Sequence, residues 1–421
     1  MVAPYKLFSV FGIELEYMVV DRDSLDIRPI VDVLFSDHLA DSRDSSHIQT
    51  SSALPSDVEF PDITWSNELT AHVLELKTSD PAASLSTLGL NFSQHVTYLN
   101  QLLSAHNAML LGTAMHPWMN PQTETKLWPH GYNQVYEAFN KIFNCRGHGW
   151  SNLQSVHLNL PFQTESDFGA LHAAIRVVLP LIPTLAASSP IYDGSPGPNA
   201  DSRLHFYSEN SKSIPSVAGQ IIPEPIFSFR DYQEKILNRI YADLAPFDSE
   251  RILEGEWVNA RGAIARFERS SIEIRLIDIQ EYPKADLANC ALVAAVLKHL
   301  IAGKWADPHL LKGMPITTLV ANLKNAIRDA EDTILEGPTW LRLFGITDNQ
   351  KLRASDLWAK LIQDLEPELR DFKSELELYL QCGTLAKRIV RALGGNYSRE
   401  ALKEVYRELA KCLAENRAFI A

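Results

Sequence analysis

Four segments of this chain alternate apolar and polar side chains with period two, and each turns an acid or an imidazole toward its polar face. Such alternation marks a strand with one face in a core. In Gly12-Ile13-Glu14-Leu15-Glu16-Tyr17 the two glutamates share one face, and Ile13, Leu15 and Tyr17 share the other. Glu75 and Lys77 stand opposite Leu74 and Leu76; His157 and Asn159 stand opposite Val156, Leu158 and Leu160. In Ser271–Asp278, Glu273 and Arg275 stand opposite Ile272, Ile274 and Leu276. One such strand is ordinarily the solvated side of an antiparallel sheet. Four together constrain more, because facing carboxylates repel one another unless cations lie between them. Oxygen ligands with one imidazole suit a hard divalent ion, magnesium or manganese. Glu68 is a further candidate ligand. It lies an odd number of residues before Glu75, so it joins that face only through a bulge or from the preceding turn.

A sheet lined with carboxylates that bind divalent ions suggests nucleoside triphosphate chemistry, since magnesium bridges carboxylates and phosphates. The chain has no Gly-x-x-x-x-Gly-Lys-[Ser/Thr] loop and no Gly-x-Gly-x-x-Gly turn after a strand, so the phosphates must be held by metals and arginines. Asn259–Arg275 supplies Arg261, Arg266, Arg269 and Arg275. A lone arginine is most often a surface ion pair. Arg275, beside Glu273 on one face, is the leading candidate to meet a phosphate held by that glutamate's metal. No Gly-x-Ser-x-Gly elbow is present. Cys145 and His148 are close in sequence, whereas a catalytic Cys–His pair ordinarily meets across the fold. His116, before Pro117, suits a structural role and a substrate contact equally.

The formal charge of −13 repels nucleic acid and anionic membrane surfaces, so small molecules are the expected partners. It also repels ATP, which local arginines and bound cations must overcome. Four separated cysteines without a Cys-x-x-Cys pair fit a reduced, cytoplasmic compartment. The most apolar window, Ala288–Ala302, is too short to span a bilayer and contains Lys298 and His299; it is expected to be a buried helix.

Residues 1–283 mix strand and helix patterns and form the expected catalytic core. Residues 284–421 are helical, packed on that core or extending it, and can support a homodimer. Residues 82–111, 131–144, 166–187 and 229–245 carry helical patterns, the third interrupted by Pro180 and Pro183. Residues 36–66 and 190–225, rich in Ser, Asp, Pro or Gly, read as long loops.

Taken in order, these segments resemble the second family of glutamate–cysteine ligases, which includes bacterial carboxylate–amine ligases. Gly12-Ile13-Glu14-Leu15-Glu16 resembles its Gly-x-Glu-x-Glu strand, and Glu68 with Glu75-Leu76-Lys77-Thr78 its second acidic strand. Gly112–Pro117 is similar to its Gly-x-x-x-His-Pro loop. Ser155–Asn159 is similar to its His-Val-His-Val strand, Ala186–Gly194 with Ser202-Arg203 to its Ser-Ser-Pro loop, and Ser271–Arg275 with Asp278 to its Thr-[Ile/Val]-Glu-x-Arg strand. The resemblance implies an α+β fold of the glutamine synthetase and guanidino kinase kind, a curved antiparallel sheet flanked by helices. It implies magnesium on Glu14, Glu16, Glu68, Glu75, His157 and Glu273, ATP phosphates near Arg203, Arg261, Arg266 and Arg275, and Arg275 on the transferred phosphate. The implied reaction joins a carboxylate and an amine, with amino acids as the expected substrates, through an acyl phosphate.

Two departures bear on the substrate. The second histidine of His-Val-His-Val is Asn159 here. After Ser202-Arg203 the chain reads Leu-His-Phe-Tyr-Ser-Glu-Asn-Ser-Lys-Ser-Ile-Pro in place of an Arg-x-Gly-x-Pro continuation. Substrate side chains are read by loops of this kind, so the pattern speaks for metal chemistry more than for glutamate or cysteine. A phosphotransferase on the same fold, or a silent nucleotide-binding regulator, are the competing readings.

Overall fold

The computed structural model describes residues 5–42, 54–347 and 351–421. Alternating residues of the four segments do build one sheet. Its strands are β1 (Gly12–Asp21), β2 (Asp57–Glu59), β3 (Ile63–Asn67), β4 (Val73–Thr78), β5 (Ala108–Leu111) and β6 (Ser155–Pro161). A small hairpin of β7 (Ile191–Tyr192) and β8 (Ser195–Pro196) lies apart, and β9 (Ala263–Arg266) and β10 (Ser271–Asp278) complete the sheet. The order is β2-β3-β4-β1-β6-β10-β9, with β5 also paired to β1, and every pairing is antiparallel.

The apolar face is fully closed: Ile13, Leu15, Tyr17, Leu74, Leu76, Val156, Leu158, Leu160, Ile272 and Leu276 are all 0% exposed. Helices Leu85–Ser104, Glu165–Val178 and Pro283–Ile301 pack with this face in one continuous core. The last contains most of the apolar window expected to be a buried helix. The expected break at Pro180 and Pro183 is a 3-10 turn, Leu179–Leu181, leading into helix Ile182–Ala186. Helix Arg399–Glu415 packs on β5, and its Leu402, Tyr406 and Leu409 join Met18 and Val20 in a second cluster at the far end of β1.

Two segments expected to be loops are more ordered. Within residues 36–66 the chain continues a helix, Val31–Ser42, and then forms β2 and β3; residues 43–53 lie outside the described residues. Val31, Leu34, Phe35 and Trp65 enter the core at 0% exposure, so burial outweighs the Ser, Asp and Pro around them. Within 190–225 lies helix Ser202–Glu209, started by the Asp201 carboxylate accepting from the Leu204 N–H at 2.8 Å.

Candidate active site

The register lines the acids up across the sheet. Glu16 on β1 faces Glu75 on β4, Glu14 faces His157 on β6, and Glu273 on β10 faces Asn159. Gly12 also faces Asn159, and a Cβ on Gly12 would stand 3.0 Å from the Asn159 Cβ. A side chain there would crowd Asn159, whose Nδ2 donates to Glu14 Oε1 at 3.1 Å. Between Ile274 and Ile277 the β10 register slips, so Arg275 and Leu276 both stand against His157. This bulge reverses the side-chain parity. Strict alternation from Glu273 would send Asp278 to the core face; the bulge pairs it with Ser155 on the polar face instead.

The strip is buried and tightly bonded. Glu16 and Glu75 are each 7% exposed, His157 is 9% and Glu273 is 1%. His157 Nδ1 lies 2.7 Å from Glu14 Oε2 and 3.8 Å from Glu273 Oε1; its Nε2 lies 3.6 Å from Glu16 Oε1. Glu16 Oε2 accepts from the Ser155 N–H at 2.7 Å and from its hydroxyl at 3.0 Å. Two triads share the imidazole: Glu14, His157 and Glu273, and Glu16, Glu75 and His157, each offering ligand atoms within 4.8 Å of one another. Glu68 sits in the turn between β3 and β4, one of the two placements that bring it to this face. Burial and then the Glu16 charge push its carboxyl up to about 7. Burial, Glu14 and Glu68 push Glu75 well above the usual carboxylate range. At Glu273 burial pushes upward, but Arg275, His157 and Arg266 outweigh it and hold the carboxyl well below that range. Crowded carboxylates on one side and an imidazole on the other are the donor set of a hard divalent cation, which would relieve the repulsion at Glu68 and Glu75.

The arginines divide. Arg275 Nε donates to Glu273 Oε1 at 3.1 Å, and Arg266 Nη1 donates to Glu273 Oε2 at 2.7 Å. Arg203 Nε pairs with Asp278, whose Oδ2 also accepts from the Ser188 N–H at 2.8 Å and the Ser189 hydroxyl at 3.0 Å. Arg261 stands apart: its guanidinium is clamped by both oxygens of Glu224 at 2.7 Å and by the Ser216 carbonyl at 3.0 Å.

Two clefts flank the strip. One, of ≈ 230 Å³, is lined by Glu16, Glu68, Ser155, His157, Arg203 and Arg275, and by Tyr136, Phe139, Trp150, Tyr207 and Trp257. The other, of ≈ 340 Å³, is lined by Glu14, Asn159, Lys77 and Arg269 among others. Arg261 and Arg266 line neither. Sequence reasoning did not find the aromatic wall. Its rings come from separate helices, with Tyr207 and Trp257 well removed in the chain from Tyr136, Phe139 and Trp150, and none carries a period tying it to the acidic strands.

His116 and the Cys145–His148 pair lie among structural contacts. His116 is 1% exposed, and its Nε2 lies 2.7 Å from the Leu25 carbonyl. Trp118 Nε1 donates to Asp26 at 3.0 Å beneath the Arg399 guanidinium. Cys145 is buried, its thiol pushed up to about 12 by desolvation, and His148 is bonded to Asp193 and Asn152. The pair has no nucleophilic character.

The fold has counterparts among solved structures. The chain covers 98% of its length, and 90% of the other chain, in an alignment with the glutamate–cysteine ligase of Francisella tularensis in complex with AMP, at a TM-score of 0.61 and 13% identity. A bifunctional glutathione synthetase from Pasteurella multocida aligns over 96% of this chain and 52% of its own, with a TM-score of 0.53 and 15% identity. Identities this low speak for the fold alone. An uncharacterized protein of Archaeoglobus fulgidus is 33% identical over 353 residues, 84% of this chain and 88% of that protein. The model of glutamate-cysteine ligase family 2 matches residues 10–408, a span that takes in every strand of the acidic face. On a match that spans nearly all of its length, the chain belongs to glutamate-cysteine ligase family 2.

Proposed function

We propose that the protein is an ATP-dependent carboxylate–amine ligase that forms an amide through an acyl phosphate. The observation that carries this reading is the acidic strip on four adjacent strands, with Arg275 and Arg203 beside it. Glu14, Glu16, Glu68, Glu75, His157 and Glu273 would hold magnesium or manganese. Bound there, the ions supply charge neutralisation for phosphate oxygens.

In the proposed reaction a carboxylate oxygen attacks the γ-phosphorus and ADP leaves. The amine nitrogen then attacks the acyl carbon, and phosphate leaves carrying that carboxylate oxygen. The chain's own residues do the positioning. Glu273 orients Arg275 toward the cleft by accepting its Nε–H, so the guanidinium meets charge on the transferred group without reorganising. Asp278, fixed by Ser188 and Ser189, does the same for Arg203. Arg266 braces Glu273 from the other side. Arg261, held by Glu224, lines neither cleft and has no part in this reading. Two clefts against one strip suit a reaction whose phosphate and carboxylate must converge on the same cations.

The test is isotope transfer. With a carboxylate substrate labelled with heavy oxygen, ATP and an amine, the released phosphate gains one labelled oxygen. Phosphate release that carries no label, or that proceeds unchanged without the amine, would contradict the reading.

A further inference from the structure

We propose that the substrate held in the aromatic cleft is a carboxylic acid with a large apolar or aromatic side chain, such as an aromatic or long aliphatic amino acid. This rests on the ligase reading for its chemistry, and on the cleft for its selectivity.

The wall is carbon surface. Phe139 lies 5.4 Å from Trp150 and 5.7 Å from Trp257, centroid to centroid. Trp150 Nε1 donates to the Asn210 carbonyl at 3.0 Å, so its N–H is already taken and its ring offers no polar contact. Trp150 and Trp257 are half-buried and line the cleft. Against these three rings a small polar side chain would lose water and bury little area; the open polar atoms of the cleft, Tyr207 Oη and Asn210 Oδ1, belong to other lining residues. A large apolar one would bury area against all three rings and gain by it.

The other lining holds an anion receptor. Arg203 is 2% exposed; its Nε pairs with Asp278 and its Nη1 donates to the Arg275 carbonyl at 3.4 Å. Its Nη2 is buried and has no hydrogen-bond partner. An unpaired buried guanidinium N–H favours an anion beside it. The same cleft thus offers a guanidinium, acidic-strip residues and an apolar wall among its lining.

Calorimetry on the full chain, with magnesium and a non-hydrolysable ATP analogue, would compare phenylalanine, tryptophan and leucine with glutamate and cysteine. The apolar amino acids should bind at least about tenfold tighter. Trp257→Ala should erase that preference while its magnesium-induced shift in Tm stays as in the wild type, showing that the variant is folded. Glutamate or cysteine binding as tightly as phenylalanine, or no binding by any of the five, would overturn the inference. Amine-dependent ADP release measured on the same panel separates the two claims. Selective apolar binding with no ADP release for any pair would leave the cleft's selectivity standing and sink the ligase reading. ADP release selective for glutamate would do the reverse.

Discussion

Glu273 and Glu75 lie on the same acidic face but in opposite electrostatic settings, so neutralising each should move stability in opposite directions while both stop catalysis. Glu273 is 1% exposed and accepts from Arg266 at 2.7 Å and from Arg275 at 3.1 Å. In Glu273→Gln both guanidinia lose their counter-charge inside the protein. Breaking a buried pair of this kind costs about 3–5 kcal/mol. Coulomb's law at about 4 Å and an effective dielectric constant of about 20 gives a similar figure, about 4 kcal/mol. For 421 residues, at roughly 2 cal/mol/K each, the unfolding entropy is about 0.9 kcal/mol/K, so Tm should fall by about 4 °C. Glu75 instead has Glu14, Glu68 and Glu16 around it, with Lys77 3.8 Å away as an opposite charge. Glu75→Gln removes repulsion, so without divalent ions its Tm should hold or rise. Thermal unfolding and amine-dependent ADP release, measured on both variants, check the pair. A Glu75→Gln protein as destabilised as Glu273→Gln, or one that keeps wild-type turnover, would refute the assignment of Glu75 to cation binding.

Divalent ions should act on the same balance: magnesium or manganese at about 100 times its dissociation constant should stabilise the wild type by about 2.7 kcal/mol, and Glu16→Gln and Glu75→Gln should lose most of that gain. Acid should destabilise the protein through three buried neutral histidines. Burial lowers His72 and His172 to about 3 and His116 to about 4. Each is depressed below its unfolded value near 6.5, so stability is complete above that pH and is lost as pH falls from it toward the folded values. At pH 5 the loss is about 2 kcal/mol for each histidine. A Tm series from pH 7.5 to 5 should therefore show a steep fall, made shallower by His172→Gln; a flat series would show that these rings find proton acceptors on folding.

The sheet was legible because its period survives in each strand: Leu15, Leu158 and Ile274 alternate with Glu14, His157 and Glu273, as a half-buried strand requires. What alternation cannot carry is a change of parity. Asp278 reached the polar face through a bulge that nothing in Ser271–Asp278 announces, and Glu68 through a turn. Composition misled where burial overrode it. Trp65 lies in a stretch rich in Ser, Asp and Pro, and Phe35 at its edge, yet both are fully buried, and the elements around them form for that reason. Arg261 looked equivalent to Arg266 and Arg275 by proximity in sequence. Its partner Glu224 lies 37 residues away, and pairing at that range has no local signature. The aromatic wall was silent for the same reason, since Phe139, Trp150 and Trp257 meet only in three dimensions.

The central claim is that Glu14, Glu16, Glu68, Glu75, His157 and Glu273 hold divalent cations for phosphoryl chemistry. The most direct measurement is a crystal structure with manganese and a non-hydrolysable ATP analogue, using anomalous scattering to place the metal. The account predicts manganese peaks bounded by these side chains, with phosphate oxygens completing the coordination and Arg275 beside them. Manganese bound elsewhere, or a nucleotide whose phosphates lie away from the acidic strip, would contradict it.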